Sequence, residues 1–347
     1  MKRIFPILII IILASSALPQ GCMSGGSEEG AQIKGYIQPQ FEFGMYDDPD
    51  TDDSENTSSF TFNRARLGVV GSIPYDVSYY FFMEFSDFQD GPYLLDAFVT
   101  YTRLDPWARI SLGQFKAPYS MEFNTPCQAL YTIKRSLGTN NLTNPARDIG
   151  LFIDGHYEDY VKYTFAVLNG AGKNEADVNM NKDIAGRVVV TPIEYVSLGS
   201  SFRMGKRPPA ESGVEDEDEI TRFGGEIELR YDDIKIQGEY LMGNDKGSYT
   251  TGGGCGGPVE VHTGDIERSG VMAMAMYTTP WNLQPVIKYE SYDGGDAATH
   301  GVEQITTFGI NYFINDWSRV QLNYLYKAEE IDEYPNDEVL LQFQAMW

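Results

Sequence analysis

Val339-Leu-Leu-Gln-Phe-Gln-Ala-Met-Trp347 closes the chain. Val339, Leu341, Phe343, Ala345 and Trp347 take every second position, with Gln342 and Gln344 among the residues between. Side chains along a strand point alternately to opposite faces, so this spacing predicts a β-strand with one apolar and one polar side. The same beat recurs upstream. In 317–327, Val320, Leu322, Tyr324 and Tyr326 oppose Arg319, Gln321, Asn323 and Lys327; in 233–243, Ile234, Ile236, Tyr240 and Met242 oppose Lys235, Gln237 and Glu239.

Read from Gln32 onward, the alternation predicts about sixteen strands, near 32–46, 58–71, 77–88, 92–103, 107–116, 147–157, 159–168, 182–191, 195–205, 220–231, 233–243, 266–278, 282–292, 301–313, 317–327 and 337–347. So many half-apolar strands are satisfied together by an all-β, transmembrane antiparallel barrel with lipid outside and water inside. Charge placement agrees with that geometry. A Lys or Arg facing lipid at mid-membrane costs about 2–4 kcal/mol, and within these strands the charges share one parity. Arg64 and Arg66 likewise oppose Ala65, Leu67 and Val69.

The connections sort into two kinds. Tight turns are predicted at Ile73–Asp76, Leu104–Pro106, Glu158, Pro192–Glu194, Asp232, Thr279–Pro280 and Asn315–Asp316, and most of the intervening loops are longer. Short periplasmic turns and long external loops are the asymmetry of such barrels. Trp107, Trp281, Trp317 and Trp347 all fall at turn-side strand ends, with Tyr75, Tyr157, Tyr160, Tyr195 and Tyr231 at others. Amphipathic rings collect at a membrane–water interface, so these residues predict a periplasmic girdle.

Residues 1–22 read as a secretory signal, with Lys2 and Arg3, an apolar run Ile4–Leu13 and then small residues. Cys22 leaves two starts open, ordinary cleavage or a lipid-anchored cysteine. Residues 23–31 form a polar spacer and 32–347 the barrel. Cys127 and Cys255 fall in predicted external loops, where a disulfide and two unpaired thiols are both open. A net charge of −24 excludes the basic footprint of a nucleic-acid binder. Much of it lies in two loop runs, Asp47–Glu55 and Glu211–Glu219.

Sixteen strands enclose an aqueous lumen, so the predicted activity is passive diffusion of small hydrophilic solutes. Whatever narrows the lumen sets its selectivity. The longest connection, Ala117–Ala146, is the third external loop and carries Tyr119, Met121, Phe123, Leu130, Tyr131, Ile133 and Leu137. That apolar content predicts a packed loop folded into the barrel. From Lys116 to Arg147 the cations are Lys116, Lys134, Arg135 and Arg147, against one acid, Glu122. These cations either offer an anion-preferring eyelet or pair with Glu84, Asp87, Asp96 or Asp148 to pin the loop.

Several stretches resemble the phosphate-selective porin O and P family. They are Phe62-Asn-Arg-Ala-Arg-Leu-Gly68, Leu95-Asp-Ala-Phe-Val-Thr-Tyr101, Leu112-Gly-Gln-Phe-Lys-Ala-Pro118, Lys134-Arg-Ser136, Pro145-Ala-Arg-Asp-Ile-Gly150 and Leu168-Asn-Gly-Ala-Gly172. The resemblance covers 60–205 best. It implies a trimeric bacterial outer-membrane porin with basic residues along the pore, here Arg64, Arg66, Lys116, Arg135 and Arg147. Lys134 joins them from the loop reading. Lumen-facing charges after residue 220 are mixed (Arg222, Glu226, Glu228, Arg230, Lys235, Glu239, Lys288, Glu290), so no full arginine ladder carries over.

The expected partners are small solutes, phosphate or other anions among them, outer-membrane lipid and two further copies. A second reading is a barrel-anchored adhesin or receptor acting through its acidic loops. No catalytic residue, metal or cofactor is expected. Gly252–Gly257 lacks the Lys-Ser/Thr of a phosphate-binding loop, and His156, His262 and His300 have no ligand spacing. Met272, Met274 and Met276 have strand spacing and read as pore or wall packing.

Overall fold

A computed structural model describes residues 30–45, 56–86, 91–177, 179–207, 217–252, 259–295, 301–330 and 335–347. The leader, Cys22, most of the spacer, Cys255, His300, the whole acidic run Asp47–Glu55 and most of Glu211–Glu219 lie outside the described residues. Sixteen antiparallel strands form a closed ring. In chain order they are β1 (Gly30–Gly44), β2 (Thr57–Ile73), β3 (Val77–Glu84), β4 (Tyr93–Leu104), β5 (Ala108–Lys116), β6 (Arg147–Tyr157), β7 (Val161–Leu168), β8 (Asp183–Ile193), β9 (Val196–Arg207), β10 (Asp218–Tyr231) and β11 (Ile234–Lys246). The ring continues with β14 (Ile266–Tyr277), β15 (Leu283–Asp293), β16 (Val302–Asn315), β17 (Ser318–Glu329) and β18 (Glu338–Met346). Between β11 and β14 stands a separate two-stranded hairpin, β12 (Ser248–Gly252) and β13 (Val259–Thr263). The sequence reading missed this hairpin, because two five-residue strands beside a glycine run show too few alternations to register.

The ring shuts where β18 meets β1, with Tyr36 opposite Met346 and Gln40 opposite Gln342. That pairing removes the last unpaired strand edges, which hydrocarbon would not tolerate. Burial is inverted relative to a soluble protein. On β17, Leu322, Tyr324 and Tyr326 are exposed outward while Arg319, Gln321 and Asn323 are buried inward. On β18, Leu341 and Phe343 face out and Gln342 and Gln344 face in. The outward apolar band therefore meets lipid, and the polar parity lines the interior. Ile287 sits mid-strand on the outer face. Replacing it with Arg should destabilise the barrel by about 2–4 kcal/mol, read as a lower urea midpoint for vesicle-embedded protein; an unchanged midpoint would move Ile287 off the lipid face.

The turn ends carry the expected aromatics. Trp107 stacks on Tyr157 with ring centroids 5.8 Å apart, and Tyr195 lies 5.9 Å from Tyr231. All four tryptophans are exposed on the outer surface. Tyr75, Asp76, Glu158 and Asp232 adopt positive φ, the conformation that tight two-residue hairpins demand.

Candidate pore site

Residues 117–146 leave β5 and return to β6, and they carry helix α1 (Met121–Asn124), a short 3₁₀ turn (Cys127–Ala129) and helix α2 (Leu137–Leu142). Their hydrogen bonds reach far round the ring. The Tyr119 hydroxyl donates to the Phe223 carbonyl on β10 at 3.0 Å, and Ser120 Oγ to Glu239 on β11 at 3.0 Å. The Leu137 amide donates to Glu290 on β15 at 3.1 Å, and the Ile133 amide to Asn323 on β17 at 2.8 Å. In ring order β5 is fifth and β15 thirteenth, eight strands apart in sixteen and so diametrically opposite. A connection bonded to both crosses the interior.

Apolar packing explains why it rests there. Met121 packs on Met272, Met274, Met276 and Val286. Tyr119 and Leu142 meet Leu241 and Tyr292, and Ile133 meets Ile305, Leu325 and Leu340. These wall residues stand at lumen parity on β11 and β14–β18, where a plain porin wall would be polar. Burying each large apolar side chain contributes about 1.5–3 kcal/mol, which offsets much of the ordering cost of the connection. The methionine run of β14 is thus part of the seat for α1.

Within the segment, Glu122 accepts hydrogen bonds from the Ser136 amide at 2.8 Å and from Ser136 Oγ at 2.6 Å. Burial alone would raise its pKa. Lys288, with Nζ 3.8 Å away, the two Ser136 bonds and Arg135 outweigh that and hold the carboxyl below the usual range. Arg135 donates to the carbonyls of Glu122 at 3.0 Å, Phe123 at 3.2 Å and Thr125 at 2.7 Å. Lys116 Nζ donates to the Phe123 carbonyl at 2.9 Å. Two cations thus satisfy the C-terminal carbonyls of α1. The Cys127 thiol accepts from Arg66 Nη1 at 3.2 Å and Arg135 Nη1 at 3.5 Å. Burial pushes its pKa up, but Arg66 and Arg135 pull harder and hold it well below the usual thiol value.

The six basic residues read from the sequence therefore have different occupations. Arg66 pairs with Glu84 at 2.6 Å, and Arg147 grips Asp96 with two bonds of 2.9 and 3.1 Å. Lys134 pairs with Glu338, which Lys327 also holds at 2.6 Å. Lys116 and Arg135 are bound to loop carbonyls. Arg64 donates from Nη1 to Gln38 Oε1 at 2.9 Å, and among the described residues its Nε has no hydrogen-bond partner.

Arg319 shares that condition, and the sequence reading did not single it out. Its Nη2 donates to Gln344 Oε1 at 3.1 Å and its Nε is likewise unpartnered. The two arginines belong to one cross-strand row. Arg319 on β17 faces Gln344 on β18, Gln344 accepts from Gln38 Nε2 on β1 at 2.7 Å, and Gln38 faces Arg64 on β2. Among the described residues, neither guanidinium has a carboxylate within ion-pair distance. Other buried lumen arginines do: Arg187 with Glu226, Arg203 with Asp183, and Arg222 and Arg268 with Asp245. The row thus concentrates uncompensated positive charge at the β18–β1 seam.

A closed sixteen-strand barrel, greasy outside, polar inside and ringed by aromatics at its turn end, is the architecture of an outer-membrane porin. The chain belongs to the phosphate-selective porin O and P family, whose profile it matches over residues 33–215. No curated protein matches it by sequence. Among solved structures it is similar to an anion-selective porin from Comamonas acidovorans at 13% identity, covering 92% of this chain and 100% of that one, with a TM-score of 0.68. The outer-membrane channel DcaP of Acinetobacter baumannii aligns at 11% identity over 94% of this chain and 100% of its own, TM-score 0.65. The trimer form of OmpT, an outer-membrane protein of Vibrio cholerae, aligns at 12% identity over 92% and 100%, TM-score 0.59. The protein is an outer-membrane channel for passive diffusion.

Proposed function

We propose that the channel passes small anions, chloride and phosphate among them, in preference to cations, through a lumen narrowed by residues 117–146. The observation that carries this reading is the row at the seam: two buried guanidiniums bonded to glutamines and to no carboxylate. A passing oxyanion or halide gains hydrogen bonds there in exchange for part of its hydration shell, and a cation meets only repulsion. Arg66, Lys134 and Arg147 contribute less because Glu84, Glu338 and Asp96 pair with them, while Lys116 and Arg135, bonded to loop carbonyls, add to the positive potential of the lumen. The barrel works as a homotrimer in outer-membrane lipid after export on the leader 1–22. The fold and family speak for a channel, and the reading includes no catalytic step. The relatives support it only by analogy: one is described as anion-selective and another occurs as a trimer.

Ion replacement tests it. Exchanging potassium for a bulkier cation should leave single-channel conductance nearly unchanged, whereas exchanging chloride for a bulky organic anion should cut it severalfold. The opposite pattern overturns the proposal.

A further inference from the structure

Two glycines meet where helix α2 lies on the wall. Gly138 is the second residue of α2, and Gly270 stands on the lumen face of β14 between Arg268 and Met272. A methyl on Gly270 would come within 2.7 Å of Gly138 Cα, and one on Gly138 within 3.0 Å of Gly270 Cα. Carbon atoms in ordinary contact keep about 3.5–4.0 Å. The two backbones therefore touch with no side chain between them.

Backbone conformation does not ask for glycine at either place. Neither residue has a positive φ. β14 runs in unbroken register past Gly270, with Leu241 on one side and Tyr292 on the other. Glycine is also a poor choice in both settings, since it weakens a strand interior and ranks among the worst helix formers. What the two positions share is the close approach itself.

The helix has one direction left in which to yield. Its Leu137 amide donates to Glu290 on β15, its Leu142 carbonyl accepts from Arg222 Nε on β10 at 3.1 Å, and Leu142 packs on Leu241 of β11. These anchors lie on the same side of the ring as Gly270. At the external end β12 touches α2, and Arg268 ties that hairpin down by donating to the Thr250 carbonyl at 2.8 Å. β14 is bonded along both edges within the ring, so the wall is the stiffer partner. A side chain at either glycine moves α2 off the wall and into the lumen.

We propose that the bare Gly138–Gly270 contact sets the bore of the channel, by letting α2 lie closer to the wall than any side chain would allow. A methyl on Gly270 must push α2 back by about 1 Å to restore ordinary contact. A larger side chain pushes further. The two glycines touch no solute; they position α2. This inference rests on residues 117–146 being the narrowing of the pore.

The test is single-channel recording of purified protein in lipid, with neutral polyethylene glycols of graded size added to find the largest that still enters. Conductance and that size limit should fall together in the order Gly138→Ala, Gly270→Ala, Gly270→Leu, severalfold in the last. Gly138→Ala separates bore from folding, because alanine is the better helix former and firms α2. It also decides the matter should Gly270→Leu fail to fold. Gly225→Ala on the lipid face of β10 is the control: its added methyl meets nothing within 4 Å, and conductance should stay as it was. An unchanged size limit in either lumen-side alanine variant, or an equal fall in Gly225→Ala, overturns the proposal. Reading conductance in Arg135→Ala alongside separates the two levels. If that change alters conductance while the lumen-side glycine variants do not, the bore assignment fails and the narrowing stands. If none alters it, the narrowing itself is wrong.

Discussion

Replacing Arg64 and Arg319 together with Glu should turn an anion-preferring pore into a cation-preferring one. Each substitution removes one positive charge from the row and adds a negative one. At ~6 Å and an effective permittivity of ~20, a unit charge acts on a passing ion with about 3 kcal/mol. Half of that, after screening by salt, is already about tenfold in permeability ratio. The change is feasible because neither arginine has a carboxylate partner to strand. Gln38 and Gln344 can reverse their amides and donate to the new acids. The same swap at Arg147 would set an acid against Asp96 in a buried site, and the expected result there is failed folding. Lys134→Glu serves as the contrast. Lys134 already shares Glu338 with Lys327, so its reversal should shift selectivity far less than the double change. Equal effects would dissolve the distinction between compensated and uncompensated cations on which the proposed selectivity rests.

The second large effect concerns the scaffold of the inward segment. Arg135→Ala should loosen residues 117–146 by about 3–5 kcal/mol, since three buried carbonyls lose a charged donor at once. The barrel wall should survive, because its strand ladders do not involve Arg135. Cys127 reports the change. It is 2% exposed, against Tyr36 and Leu130, and Arg135 helps hold its thiol. With Cys22 and Cys255 replaced by Ser, a water-soluble maleimide should label Cys127 about a hundredfold faster or more in Arg135→Ala, following the conversion of about 1.4 kcal/mol per tenfold. Equal labelling rates would mean that the segment is held by its apolar seats on β14–β18 and that Arg135 is ornamental.

Much of the barrel could be read from residue types alone. Leu322, Tyr324 and Tyr326 alternating with Gln321 and Asn323 fix which face of β17 meets lipid, and the tryptophans mark the rim that carries the tight turns. Local patterns suffice there because each strand is a two-faced object. The site is different in kind. Lys134 and Arg135 look like an open basic pair in sequence, yet their partners are Glu338, some two hundred residues on, and backbone carbonyls that only the fold of α1 presents. Arg319 carried the right parity, but its meeting with Arg64 depends on β18 closing against β1, which no local pattern encodes. Met272, Met274 and Met276 were legible as wall packing. Their role as the seat of α1 required knowing where Met121 lands. Charge balance in a lumen is a property of the closed ring.

The most direct test of the account is the zero-current potential of the unaltered channel between two potassium chloride solutions of unequal concentration. Uncompensated Arg64 and Arg319 predict that the dilute side settles negative, as chloride crosses ahead of potassium. A dilute side that settles positive would show potassium crossing first, and would contradict the assignment of the seam row as the selecting element.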